Sequence, residues 1–180
     1  MNQSFKLTSK TKIKSLKGLF HSLIMLIAAI AFFYFLFEES IYVPLFVLVV
    51  MFFLFYILPV IVLYNNYLKY AKNIEVILQQ NTMAINGKTY TSEDIELIEI
   101  YTTMQHAKKR ASMHTFSHNE YFYYIAVDVK DGHTIVLNSL MGQNIDEEIK
   151  NAFPDVEIKH TFSLFSRLMI TENSFSKNRV

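Results

Sequence analysis

The side chains best suited to chemistry lie in residues 104–120, the longest stretch of this chain without a periodic pattern. The segment holds three histidines and a basic triplet, namely His106, His114, His118, Lys108, Lys109 and Arg110. Long connections without secondary structure of their own often carry function in compact domains. Two activities are open to this set of residues, which are metal binding and contact with anions.

A zinc site would use the histidines. His114 and His118 are four positions apart, so on a helix they would share a face and could bind Zn²⁺ with His106 as third ligand. The serines and threonines around them favour turns instead, and no glutamate is placed as in an HExxH motif. The sequence therefore predicts neither a metal site nor a cofactor, and a histidine-dependent metal-binding enzyme or sensor is kept as an alternative.

The basic triplet Lys108, Lys109 and Arg110 is the candidate contact with lipid or with a partner. Each such charge near an anionic bilayer surface contributes about 1 kcal/mol of attraction. Three charges are fewer than a typical polybasic cluster, so the alternative interpretation is a solvated loop tip. The other histidines, His133 and His160, lie in strand patterns and are expected to be ordinary surface residues.

Other catalytic chemistry has little support in the composition. Cysteine is absent, which excludes disulfides, thiolate metal sites and cysteine nucleophiles. The carboxylates at Glu93, Asp94 and 146–148 fall at a turn and a helix start, where capping explains them. Four glycines form no phosphate-binding loop, and the net charge of +1 gives no pull towards nucleic acid. We expect a protein that is not an enzyme and does not bind nucleic acid.

The elements that would position these residues begin at Ile74, where short alternating segments predict an antiparallel sheet. Predicted strands cover residues 74–79, 82–85, 88–91, 95–103, 121–130 and 133–141. Asn86-Gly87 indicates a type I′ hairpin, and Asp131-Gly132 indicates a second turn. Alternation in the fifth strand predicts one shared face made of Tyr121, Tyr123, Ile125, Val127 and Val129.

One amphipathic helix should follow the sheet. Asn144 is a plausible N-cap with Glu147 three residues later, and Pro154 ends the helix. A single apolar stripe is formed by Ile145, Ile149, Ala152 and Phe153. Residues 156–162 are expected to add a last strand, and the polar tail after Ile170 is expected to be disordered.

Two apolar runs precede the sheet. Residues 19–37 and 41–64 lack formal charges and would form helices about 28 and 36 Å long, enough to cross a bilayer. Pro44 falls in the first turn of the second helix, and Pro59 should loosen it later. The first run is not followed by the small residues that form a signal-peptide cleavage site. A membrane hairpin is therefore predicted rather than a signal peptide.

Lysine placement gives this hairpin a direction. Five lysines precede it, two follow it, and only Glu38, Glu39 and Ser40 lie between the helices, so both termini should be cytoplasmic. Tyr64, Tyr67 and Tyr70 would then lie at the inner interface with wet hydroxyls.

The predicted chain has a two-helix anchor, then a meander with these two hairpin turns, then the helical segment 143–154. This order of elements resembles the bacterial pleckstrin-homology-like (PH-like) membrane proteins. The resemblance implies an α+β membrane protein whose PH-like antiparallel sheet or barrel is closed by one C-terminal amphipathic helix. The expected parts are a basic cytoplasmic tail (1–18), a transmembrane hairpin (19–64), a juxtamembrane linker (65–73), a cytoplasmic PH-like domain (74–170) and a polar tail (171–180).

These expectations favour a non-enzymatic protein of the bacterial inner membrane whose domain mediates contact with another protein or with the membrane surface. An alternative is an immunity protein that neutralises a cognate antibacterial toxin at that membrane. The predicted partners are therefore the lipid bilayer and another protein, such as a toxin or a membrane complex.

Overall fold

The computed structural model describes residues 3–37, 42–103, 121–163 and 169–171. Its strands are β1 (Gln3–Lys6), β2 (Glu75–Gln79), β3 (Thr82–Ile85), β4 (Lys88–Thr91), β5 (Ile95–Thr103), β6 (Tyr124–Val129), β7 (Thr134–Asn138) and β8 (Ile158–Ser163). Its helices are α1 (Ser9–Ser15), α2 (Lys17–Phe37), α3 (Tyr42–Phe52), a π-helix (Phe53–Ile57), α4 (Leu58–Ala71) and α5 (Ile145–Ala152).

The strands form two four-stranded sheets. The first has the order β1-β2-β3-β4 and the second has the order β7-β6-β5-β8. All the predicted strands are present, which confirms the α+β class. The prediction allowed either an antiparallel sheet or a barrel. In the described ranges the two sheets are separate and do not close into a barrel. Their buried residues join helices α4 and α5 in one hydrophobic core.

The first predicted hairpin turn is confirmed at Asn86-Gly87. Both residues have positive φ angles, 48° and 87°, as a type I′ turn requires. The side chain of Asn86 also accepts a hydrogen bond from the backbone N–H of Glu75 at 3.0 Å and donates one to the carbonyl of Asn73 at 3.1 Å. The turn therefore fixes the start of β2 as well as joining β3 to β4.

The N-terminal tail contributes a strand that its lysine-rich sequence did not predict. Strand β1 pairs antiparallel with β2, from Gln3 opposite Leu78 to Lys6 opposite Glu75. Phe5 is 7% exposed and packs against Gly142, where an added Cβ would lie 2.5 Å from the ring carbon Cδ1. The two apolar helices are thus inserted between the first two strands of one sheet.

The second apolar helix is one continuous rod from α3 through the π-helix to α4, and we call it the long helix. Pro44 lies in its first turn as predicted. Pro59 removes one backbone N–H, and the π-helix of Phe53–Ile57 lies directly before it, so the predicted loosening is confirmed. Residues 65–71, which were predicted to be linker, are the last turns of the rod.

The end of the long helix lies in the core of the sheet domain. Its buried face consists of Val60, Leu63, Tyr67 and Ala71, spaced as one helical stripe. The ring of Tyr67 lies 5.2 Å from that of Phe122 and 6.4 Å from that of Tyr124. The prediction of a wet, interfacial Tyr67 is therefore wrong, because the helix runs on past its apolar span and packs this face on the sheet. Tyr64 and Tyr70 are half-buried.

Strand β6 is covered on both faces, beyond the one shared face that the alternation predicted. Tyr123, Ile125 and Val127 are buried as expected. Tyr124 and Ala126 on the opposite face are buried too, because the side chain of Tyr67 from α4 packs on that side.

The C-terminal helix and strand differ from expectation in detail. All four residues of the α5 stripe are buried, which confirms its amphipathic character. Asn144 is the N-cap residue as predicted, but its side chain makes no cap hydrogen bond and instead donates to Glu148 Oε1 at 3.2 Å. Strand β8 pairs parallel to β5, with Ile98 opposite Ile158, because α5 carries the chain back across the sheet before β8 begins.

Candidate interaction site

The basic triplet Lys108, Lys109 and Arg110 lies outside the described residues, as do His106, His114 and His118. The sequence-based interpretations of that segment therefore stay predictions. Within the described ranges, no three His, Asp or Glu side chains are grouped as a metal ion would require.

A second basic surface lies at the N-terminal side of the apolar helices. Lys10, Lys14 and Lys17 line one shallow groove together with Ile13 and Phe20. We call these five residues the basic groove. Ile13 is 66% exposed and Phe20 is 52% exposed. The lining of the groove is almost entirely apolar, so the three lysines contribute their methylene stems to its walls.

Local sequence explains why this groove forms. Thr8 caps α1, since its hydroxyl accepts from the N–H of Thr11 at 3.2 Å while the Thr11 hydroxyl accepts from the N–H of Thr8 at 3.0 Å. Leu16 ends α1 with a bond from its N–H to Ile13 O, and its carbonyl accepts from Phe20 N at 3.0 Å in the first turn of α2, so one residue joins the two helices. Helices α1 and α2 therefore present side chains to one surface.

The three lysines of the groove have no acidic partner among the described residues. In the part of the chain that the structure describes, no carboxylate lies within ion-pair distance of Lys10, Lys14 or Lys17. By contrast, Lys6 on β1 lies 3.5 Å from Glu75. The groove is therefore a local positive patch on a chain that is close to neutral overall.

The groove adjoins a large apolar surface. The two helices are long and apolar enough to cross a membrane by length and composition, and little of either span is buried. Side chains such as Phe35, which is 89% exposed, and Phe46, which is 69% exposed, have no cover within the described protein. Two such helices alone are weak support for membrane association, because a core helix or a signal sequence can have the same composition.

Buried polar groups elsewhere are structural. The hydroxyl of Tyr123 lies 2.6 Å from the carbonyl of Gln143 and 3.0 Å from Asp146 Oδ1, which joins β6 to the start of α5. Burial, with a further contribution from the charge of Asp146, raises the pKa of Tyr123 well above its usual value. Both side chains are buried in the core, so this pair holds the helix in place.

A buried glutamate joins β5 to β8 in a similar way. Glu99 accepts hydrogen bonds from the hydroxyls of Tyr101 at 2.5 Å and Thr161 at 2.6 Å, and Lys159 Nζ lies 3.6 Å away. Three partners compensate the burial of one carboxylate at the parallel strand pair. This group could not be predicted from the sequence, because the alternation of β5 alone does not reveal which strand lies beside it.

The two histidines of the strand patterns, His133 and His160, are surface residues, as expected. His133 is exposed, contacts Asp131, and lies 3.2 Å from the hydroxyl of Tyr90. His160 is exposed on β8, where partial burial and the nearby charge of Lys150 lower its pKa.

Comparison with known families identifies the fold. A family model described as PH domain matches residues 4–146, which is more than half of the chain. The matched range begins within β1 and ends in the first turn of α5, so the N-terminal strand falls inside it. No curated protein and no solved structure matches the chain. The chain belongs to the PH domain family, a class of interaction-mediating domains.

Proposed function

We propose that this protein is a non-enzymatic membrane anchor for a PH-like domain, which it holds at the cytoplasmic face of a bacterial inner membrane for contact with another protein or with the membrane surface. Residues 19–64 span the bilayer in this proposal, and both termini are cytoplasmic. The five lysines before the first span and Lys69 and Lys72 after the second support this orientation.

The observation that best supports the proposal is that the long helix has two parts. One part is an exposed apolar segment, and the other is packed in the core of the domain. Its exposed portion has the composition of a span, while its last turns bury Leu63, Tyr67 and Ala71 against the sheets. The side chain of Asn138 on β7 donates a hydrogen bond to the carbonyl of Tyr67 at 3.0 Å. The domain is therefore fixed to the end of the span, which gives its interaction surfaces a constant height and tilt.

Single-cysteine labelling tests the topology directly, because the chain has no cysteine of its own. Ser40→Cys should react with an impermeant maleimide in intact cells. Asp155→Cys, which replaces an exposed residue of the domain, should react only after the membrane is opened. Labelling of Asp155→Cys in intact cells, or release of the protein by alkaline carbonate, would refute the anchored orientation.

The interaction itself should be tested with the full chain, because a fragment starting at residue 74 would lack β1 and the buried face of α4. Photo-crosslinkers at the exposed positions Thr89 and Lys159 should give a discrete protein adduct or adducts with lipid. Tyr67→Ala should abolish those adducts by loosening the domain. Absence of any adduct at both positions in a folded, inserted protein would contradict an interaction role for these surfaces.

A further inference from the structure

We propose that the basic groove binds one anionic phospholipid of the inner leaflet, with Lys10, Lys14 and Lys17 on the phosphate and with Ile13 and Phe20 beside the acyl chains. The inference rests on the proposed membrane anchoring. It assigns a ligand class to residues of the inserted segment rather than to the sheets or to residues 104–120.

The spacing of the lysines supports a single ligand. Lys10 and Lys14 are four residues apart on α1, an interval that places side chains on one side of a helix, and Lys17 lines the same groove from the start of α2. Lys17 is the first residue of α2 and therefore lies where the polar tail meets the apolar span. Lys10 and Lys14 extend the same row along α1, away from the span.

The apolar members explain why the ligand should be a lipid rather than a free anion. Phe20 lies three residues beyond Lys17 into the apolar helix, and Ile13 adjoins Lys14 on the face that the groove opens. A soluble phosphate would leave both side chains exposed to water. A phospholipid would cover them with hydrocarbon while its headgroup remains among the lysines.

The lysines are also available for such a ligand. Among the described residues no carboxylate pairs with them, so an anion bound there would break no ion pair of the described protein. Long lysine side chains near a helix end can extend to the headgroup region while their methylene stems lie on apolar surface. Charge complementarity and continuity with the apolar span thus point to the same occupant.

The test uses the full-length protein in nanodiscs that contain phosphatidylcholine with a minor share of phosphatidylglycerol. After transfer to mild detergent, native mass spectrometry counts the phospholipids retained per protein. The wild-type chain should retain one phosphatidylglycerol in preference to phosphatidylcholine. Lys10, Lys14 and Lys17 together changed to Gln should lower this preference at least about tenfold, since each charge contributes about fivefold near an anionic surface.

A matched variant controls for net charge. Changing Lys88, Lys130 and Lys150 to Gln removes the same charge from the sheets and α5 and should leave retention unchanged. Equal loss in both variants would overturn a defined site in favour of general attraction. Ile13→Ser should also weaken retention, and binding of inorganic phosphate that competes fully with the lipid would overturn the role of the apolar residues.

Two outcomes separate this inference from the function on which it rests. An integral membrane protein of the proposed orientation that retains no anionic lipid refutes the groove and leaves the anchor intact. A protein extracted by carbonate refutes both. An acidic protein captured by the groove in native membranes, with lipid preference unaffected by the lysine changes, would identify the surface as a protein-docking site and overturn the lipid assignment.

Discussion

The inserted helices are joined to the PH domain at two ends, and the two connections differ in kind. At the C-terminal end, α4 enters the core and buries four side chains to 1% exposure or less. At the N-terminal end, the connection is the edge strand β1, which has four residues and one buried apolar side chain, Phe5. One end is held by close packing of a helix and the other by strand pairing at an edge.

This difference predicts which of the two connections is the more rigid. Packing of large side chains contributes several kcal/mol per residue, whereas an edge strand of four residues depends on a few backbone hydrogen bonds and one ring. We therefore expect the long helix to set the position of the domain and β1 to open first when the protein is stressed.

The largest effect should come from Tyr67→Ala. Removing a fully buried aromatic ring from a core costs about 3–5 kcal/mol of the free energy of unfolding. Denaturation of the full chain in nanodiscs, followed by hydrogen exchange of β6, measures this loss. Tyr67→Phe is the matched control, because the hydroxyl is buried without a hydrogen-bond partner among the described residues. It should be neutral or stabilising, and a loss comparable to that of Tyr67→Ala would contradict the packing argument.

Asn138→Ala should have the next largest effect. Its side chain is fully buried, donates to Tyr67 O and accepts from Leu140 N at 3.1 Å. Leaving these backbone groups without partners in the core should cost about 1–3 kcal/mol. Asn151→Ala on the exposed side of α5 serves as the comparison and should change the unfolding midpoint little. If both variants unfold alike, the bond does not hold the helix on the sheet.

Gly142→Ala addresses the N-terminal connection. The new Cβ would lie 2.5 Å from Phe5 Cδ1, so the ring must move, at a cost of about 1–3 kcal/mol. Hydrogen exchange should rise in β1 while β6 stays protected. Phe5→Ala in the same chain should remove most of the added cost, because the two residues are in contact. Additive effects of the two changes would show that the contact is not the cause.

The smallest effect should come from Lys6→Gln, which removes the pair with Glu75 on the exposed face of β1. Both side chains are about half exposed, 59% and 51%, so the pair should contribute no more than about 1 kcal/mol. The difference from wild type should shrink further in high salt. A larger loss would mean that β1 depends on charge more than on Phe5.

The elements with strong local signals could be predicted from the sequence. Asn86-Gly87 specified its turn by backbone geometry, and the stripe of Ile145 and Ile149 specified which face of α5 is buried. Strand β1 could not be predicted, because four residues with one apolar side chain carry no periodicity. The burial of Tyr67 in the protein could not be predicted either, because an apolar run has the same composition whether lipid or a sheet covers it.

The location of the candidate site could not be predicted from the sequence. Sequence reasoning sought lipid contact at Lys108, Lys109 and Arg110, outside the described residues, and used the lysines of the N-terminal tail only for orientation. The tail lysines become a candidate site once α1 and α2 are seen to bring three of them beside Ile13 and Phe20. Helix spacing of Lys10 and Lys14 was the available signal.

The insertion between β1 and β2 also imposes an order on biosynthesis. Ser4 and Glu75, which the finished sheet joins by a hydrogen bond, are 71 positions apart in the chain, and both apolar helices lie between them. During translation β1 leaves the ribosome long before its partner strand exists, so the sheet cannot close until both helices have been synthesised. Completion of the sheet therefore requires that both apolar helices have been made and that their two flanking strands have come together.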